Sequence, residues 1–254
     1  MKINVIGCHG GLTPGLETTS FSINDRFFVD AGSICSRLPL VRQTLITDIF
    51  LTHGHLDHIK DICFLLENTF AHDREPITVR SSTGTIENLR KHIFNDQIWP
   101  NFEKIFVKDE RPFLQFAAVD QDLEIGGVKI KTFRVNHPSN GIGFLLDDGD
   151  AQVIFTGDTG PTPQIWKVAN ECKKLRAIFT EVSFPSRMQA LATASGHHTF
   201  SSLLKDLKNL KKTDTPIYIS HLKPLFLKEL FAEFNSLRDT KLKILHSDDE
   251  FLFV

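Results

Sequence analysis

The sequence predicts an α/β fold in which two sheets pack face to face with helices on the outside. Two runs of short, β-branched and aromatic segments are each followed by helical patterns, and each half must bury an apolar sheet face. No linker, low-complexity stretch or short-period repeat divides the 254 residues, so one domain spanning 1–254 is expected. The third observation is the stretch Thr52-His53-Gly54-His55-Leu56-Asp57-His58, which directly follows the short apolar run Asp48-Ile49-Phe50-Leu51. Ligand-type side chains at a strand end are where layered α/β proteins open their crevices.

Taken in order, Lys2–Ile6 alternates as a first strand and reaches Gly7-Cys8-His9-Gly10-Gly11, a turn in which His9 reads as a loop residue near the site. Ser20–Ile23 and Arg26–Val29 form a hairpin about Asn24-Asp25, closed by Asp30 at a strand end. Ile59–Phe70 is a helix burying Ile62, Cys63, Leu65, Leu66 and Thr69, and a loop follows at His72 to Glu75. Ile77–Val79 is a strand, and Ser82 caps a helix running to Phe94, with His92 on its surface. Trp99-Pro100 breaks regularity, and alternating segments from Phe113 to Val135 start a second run of strands, turning at Gly126-Gly127. His137 closes that run. Ile142–Leu146 and Gln152–Phe155 make another hairpin, which enters Thr156-Gly157-Asp158-Thr159-Gly160. A helix over Ile165–Leu175 precedes a strand over Ala177–Thr180, which ends in Glu181-Val182-Ser183-Phe184. Helices over Met188–Ala194 and Phe200–Leu210 flank Ser195-Gly196-His197-His198-Thr199. Ile217–His221 is a strand ending in histidine, Phe226–Leu237 a closing helix, and Lys243–Leu245 with Phe251–Val254 final edge strands. His246 has no assigned role.

The residue types at the organising stretch suit metal. His53 and His55 stand two apart on extended chain and leave on the same side, with no side chain on Gly54 between them. Asp57 and His58 follow at a helix start and point into the same space. Neutral imidazole and carboxylate ligate zinc, and also manganese or iron(II). Four such groups exceed the three protein ligands of one open catalytic zinc, so two divalent ions are expected, zinc first.

His-x-His-x-Asp-His resembles the signature of the metallo-β-lactamase superfamily, an αββα four-layer sandwich. That resemblance implies that His137 joins His53 and His55 on one ion. Asp158, in Gly157-Asp158-Thr159, bridges two ions, and His221 completes the second with Asp57 and His58. It implies that Asp30 supports the ligand loop by hydrogen bonds without binding metal. Glu-x-Ser-Phe at 181–184, Gly-His-x-Thr at 196–199 and Ser-His-Leu-Lys-Pro at 220–224 are similar to the class II cyclic-nucleotide phosphodiesterases, and also to transfer-RNA 3′-processing endonucleases. In the phosphodiesterase pattern a glycine or serine stands where this chain has Asp61, and a leucine where it has His198.

The implied activity is hydrolysis of 3′,5′-cyclic nucleotides to 5′-nucleotides, with water activated between two ions as nucleophile. Asp57, Glu181 and His197 are the expected catalytic groups. His197 protonates the leaving oxygen while Glu181 holds its tautomer. His197, His198 and Lys223 are the expected substrate contacts, with Lys223 a point charge for phosphate and His198 able to share the role of His197. Other hydrolases of the superfamily are the alternatives, either a nuclease or a thioester or lactone hydrolase of glyoxalase II type, although Lys60-Asp61 lacks the glycine pair of the glyoxalases. A metal-free scaffold is the non-enzymatic reading. True β-lactamases depart from this ligand set at the second ion.

Composition narrows the partners. The formal net charge of −2 offers no bulk attraction to nucleic acid or anionic membrane, so a small phosphodiester is expected and RNA is not. Four cysteines without a Cys-x-x-Cys pair suggest no disulfide framework. The opening residues are too short and interrupted for a signal peptide, and a cytoplasmic protein, as a homodimer by base rate, is the expectation.

Overall fold

A computed structural model of the chain describes residues 1–70, 75–106, 110–237 and 241–254. Three apolar clusters define three interfaces between four layers. The central one joins inward residues of two sheets: Ile3, Val5, Phe21, Phe27 and Phe50 from one, Phe144, Val153, Phe155, Phe179 and Tyr218 from the other. Phenylalanine rings fill this interface in contact, with Phe155 stacked on Phe179 at 4.7 Å and Phe50 edge-on to Phe144 at 5.7 Å. The other two clusters lie under the helices on each outer face.

The first sheet contains β1 (Lys2–Gly7), β2 (Ser20–Ile23), β3 (Phe27–Val29), β4 (Asp48–Phe50), β5 (Ile77–Ser81) and β6 (Leu114–Ala118). The second contains β7 (Leu123–Ile125), β8 (Val128–Arg134), β9 (Ile142–Asp147), β10 (Gln152–Phe155), β11 (Leu175–Glu181), β12 (Ile217–Ser220) and β13 (Leu242–Ile244). The last strand, β14 (Glu250–Leu252), returns to pair with β1, Lys2 opposite Leu252. The orders are β14-β1-β2-β3-β4-β5-β6 and β13-β12-β11-β10-β9-β8-β7. Each sheet is antiparallel on one side and parallel on the other, with β3 to β6 and β10 to β13 running parallel. Parallel strands send their carboxyl ends to one edge, and the site forms there.

Helices α1 (Ile34–Arg37), α3 (Leu56–Thr69) and α4 (Thr83–His92) cover the first sheet, and α2 (Leu40–Gln43) lies against α1 and α3. On the other side, α5 (Pro163–Glu171), α7 (Phe200–Asp206) and α8 (Leu227–Ser236) bury apolar residues against the second sheet, and α6 (Gln189–Ser195) precedes α7. Ser82 caps α4 by accepting a hydrogen bond from the Thr85 backbone N–H.

Two expectations change. The run from Phe113 does not belong wholly to the second sheet, because β6 pairs in parallel with β5, Ile77 opposite Leu114. Alternation marks a strand but carries no information about which open edge it joins. The helix expected over Ile165–Leu175 stops at Glu171, since Leu175 already pairs with Gln152 in the sheet. The short helices α1 and α2 have too few residues for periodicity to show. Of the loop expected from His72 to Glu75, residues 72–74 lie outside the described residues.

Candidate metal centre

Leu51 to His55 connect β4 to α3, whose first turn carries Asp57 and His58, and the metal-type side chains face the second sheet. Asp30 organises this connection from the end of β3. Its carboxylate accepts hydrogen bonds from the Thr52 N–H at 2.8 Å and from the Thr52 hydroxyl at 2.9 Å, and its other partner is His58 Nδ1 at 2.8 Å. Asp30 itself is buried in left-handed backbone, φ 59°, a conformation tolerated here by several converging donors. The loop can approach the second sheet because Gly157, φ 62°, has no side chain; a Cβ there would lie 2.6 Å from that of Thr52.

Across the gap, strand ends supply one group each. His137 follows β8, Asp158 follows β10 and His221 follows β12. Together with the loop they form two neighbouring groups whose ligand atoms lie within 4.8 Å of one another: His53, His55, His137 and Asp158, then Asp57, His58 and His221. Asp158 Oδ2 stands between them, 3.7 Å from His53 Nε2, 3.4 Å from His58 Nε2 and 3.2 Å from His221 Nε2. Asp57 Oδ2 is 3.1 Å from His221 Nε2. His197 also reaches this region, within the same limit of Asp158 and His221.

The residues fit a divalent cation. His53 Nε2 and His58 Nε2 are buried without any hydrogen-bond partner, which is costly for a polar nitrogen unless something fills the space it faces. The far nitrogens are anchored. His53 Nδ1 meets the Thr52 hydroxyl at 3.0 Å, and His137 Nδ1 faces the Gly196 carbonyl at 3.0 Å. Such anchoring fixes the tautomer and turns the other nitrogen to the metal. Burial and the neighbouring His58 hold the His53 pKa well below its ordinary value, which keeps the ring neutral, the form that can ligate a cation. Burial alone would raise the Asp158 carboxyl, but His221 and His58 hold it well below the usual range.

Beside these groups lies a second constellation. Glu181, at the end of β11, is 1 % exposed, and its Oε1 is 2.6 Å from His197 Nδ1. Burial opposes a charge on His197, yet the Glu181 carboxylate outweighs it and raises the imidazole above its ordinary pKa. The same pair keeps Glu181 ionised against its own burial. Lys223 places its Nζ 5.5 Å over the Phe184 ring and 3.4 Å from the Gly10 carbonyl.

His198 is not brought to the site, which corrects its expected place among the substrate contacts. It is fully buried beneath α7, with Nδ1 3.0 Å from the Ser202 hydroxyl and Nε2 3.9 Å from Asp206. The chain extends here, so adjacent histidines face opposite ways. Ser183 was missed by sequence reasoning. Its hydroxyl contacts Glu181, His197 and His221. The signal was available, since Ser183 stands two residues past Glu181 on extended chain and must share its side. Asp61 proves structural: it accepts a hydrogen bond from Cys35 N–H at 2.6 Å at the start of α1 and is covered by Lys60.

Residues 18–250 match the family of class-II cAMP phosphodiesterases. The chain belongs to this family. A curated member-like relative, the probable 3′,5′-cyclic-nucleotide phosphodiesterase of Yersinia pestis, is 26 % identical over 89 % of this chain and 79 % of its own length. Among solved structures, the metallo-β-lactamase fold protein YhfI of Bacillus subtilis superposes with a TM-score of 0.78 at 21 % identity, covering 99 % of each chain. Unliganded yeast PDE1 superposes with a TM-score of 0.77 at 18 % identity, covering 100 % of this chain and 99 % of that one. The fold is thus the metallo-β-lactamase sandwich, and this class-II phosphodiesterase relative is a metal-dependent hydrolase. Among the described residues no helix is long and apolar enough to cross a membrane.

Proposed function

We propose that the chain hydrolyses 3′,5′-cyclic nucleotides to 5′-nucleotides at a pair of divalent cations, zinc in the first instance. The observation that carries this reading is Asp158 Oδ2, which stands among histidines of two adjacent ligand groups, with the Glu181–His197 pair alongside. A carboxylate between two cations offsets their mutual repulsion. His53, His55, His137 and Asp158 would hold one ion, and Asp57, His58, His221 and Asp158 the other.

Bound there, the ions supply Lewis acidity at the phosphoryl group and acidify water at neutral pH. The protein's own groups do the rest. Asp57, whose side chain is 29 % exposed and more open than that of His58, His221 or Asp158, accepts a hydrogen bond from the attacking water and orients it. As the oxygen of water bonds to phosphorus, its proton leaves by way of the Asp57 carboxylate to solvent, and the bond to the 3′ oxygen breaks. His197 passes its Nε2 proton to that oxygen, while Glu181 holds Nδ1. Lys223 contributes a compact positive charge for a phosphoryl oxygen.

The test is a substrate panel on protein loaded separately with zinc, manganese and iron(II). Cyclic AMP, cyclic GMP, bis-p-nitrophenyl phosphate, a glutathione thioester and a precursor transfer RNA are compared. Release of a 5′-nucleotide from a cyclic nucleotide is expected. Turnover of the thioester or the transfer RNA, with the cyclic nucleotides untouched, would overturn the reading.

A further inference from the structure

We propose that Ser183 is a positioning residue that fixes the metal-binding tautomer of His221, and that Glu181 dictates this through the single proton of the Ser183 hydroxyl. The proposal rests on the two-ion reading above.

The argument is one of counting protons. Ser183 is wholly buried, and its Oγ has Glu181 Oε2 at 2.8 Å, His221 Nδ1 at 2.8 Å and His197 Nδ1 at 3.1 Å. The His221 carbonyl is a distant fourth neighbour at 3.5 Å. A hydroxyl has one proton to give and lone pairs to receive. A carboxylate oxygen only accepts, so the proton of Ser183 goes to Glu181. The Ser183 oxygen can then only accept from His221, which must carry its proton on Nδ1. That leaves the lone pair of His221 on Nε2, the nitrogen that faces Asp57 at 3.1 Å and Asp158 at 3.2 Å. His197 Nδ1 is closer to Glu181 Oε1, at 2.6 Å, and donates there. One buried carboxylate therefore sets two imidazoles at once, one directly and one through a hydroxyl.

Glu181 has a further constraint that makes the inference sharp. Its Oε1 also accepts the Thr159 backbone N–H at 3.1 Å. In Glu181→Gln the amide oxygen must stay on that side to receive two donors, and the amide NH2 then faces Ser183. The amide NH2 takes up the Ser183 oxygen and frees the Ser183 proton, whose nearest remaining acceptor is His221 Nδ1 at 2.8 Å, against 3.5 Å to the His221 carbonyl; with the proton there, that of His221 moves to Nε2. A ring protonated there cannot ligate. A substitution that touches no metal ligand is thus expected to weaken one of two ions.

The experiment compares wild type, Ser183→Ala, Ser183→Thr and Glu181→Gln. Zinc per chain is measured by elemental analysis and zinc affinity by competition with a chromogenic chelator. The His221 ring is read by NMR of protein labelled with nitrogen-15 histidine, with and without zinc. Wild type is expected to bind two ions and to show His221 protonated on Nδ1. Ser183→Ala and Glu181→Gln should keep the first ion and bind the second ~10–100-fold more weakly, as losing a ligand's anchor typically does, with Ser183→Thr restoring it. Second-ion affinity unchanged in folded Ser183→Ala and in Glu181→Gln would overturn the proposal. So would a wild-type His221 without a proton on Nδ1, however many ions are bound. Fewer than two ions on wild type, with Nδ1 protonated through Ser183, would instead sink the two-ion reading and uphold the tautomer assignment.

Discussion

His58 and His221 face the same carboxylate from opposite sheets, but they are held differently. His58 shares its carboxylate with no other imidazole: Asp30 binds its Nδ1 directly at 2.8 Å, and its other partners are the Thr52 N–H and hydroxyl. His221 is held through Ser183, and the carboxylate behind that hydroxyl is shared with His197. Both arrangements include a residue in left-handed backbone, Asp30 at φ 59° and His221 itself at φ 63°. On the first sheet support serves binding alone. On the second, under the proposed function, one carboxylate would serve both a ligand and the proton donor, so damage there would reach turnover as well as metal.

The largest effect expected belongs to the group common to both sides. Asp158→Ala should lose metal and activity together, which elemental analysis beside a turnover assay will show; two ions still bound would end its bridging role. Next comes His197→Ala, expected to lower turnover ~100-fold or more with metal content intact. Loss of an ion in that variant would make His197 a ligand and erase the contrast between the two sides.

Asp30→Ala should weaken zinc binding ~10–100-fold by freeing His58. It should also destabilise the fold, because the buried Thr52 N–H and hydroxyl lose their acceptor, at about 1–3 kcal/mol for each unsatisfied group. Chemical denaturation of the metal-free protein isolates that second effect, and an unchanged midpoint would contradict it. The smallest effect is at the rim. Lys223→Ala should raise KM about tenfold, the worth of roughly 1.4 kcal/mol, with kcat nearly constant.

Much of this was legible in the residues before any coordinates. The His-x-His-x-Asp-His stretch points to metal because four ligand-type side chains, three imidazoles and a carboxylate, crowd one strand end, and the strand–helix alternation announces the layers. Single residues at strand ends, such as His137 and His221, look like any polar residue closing a strand, and only resemblance gave them roles. Ser183 stayed hidden because a serine has no chemistry of its own until its neighbours are known. His198 misled for the opposite reason: a second histidine beside His197 reads as a reserve, while the extended backbone turns it beneath α7. The sheet membership of β6 and β14 depends on open edges far apart in the chain, which no local pattern records.

The central claim is that side chains from both sheets enclose two cations about Asp158. Crystals of the zinc-loaded protein, measured on both sides of the zinc absorption edge, test it most directly. Two anomalous peaks are predicted, one among His53, His55 and His137 and the other among Asp57, His58 and His221, each within ligand distance of Asp158. A single peak, or zinc bound elsewhere with these side chains left bare, would contradict the account.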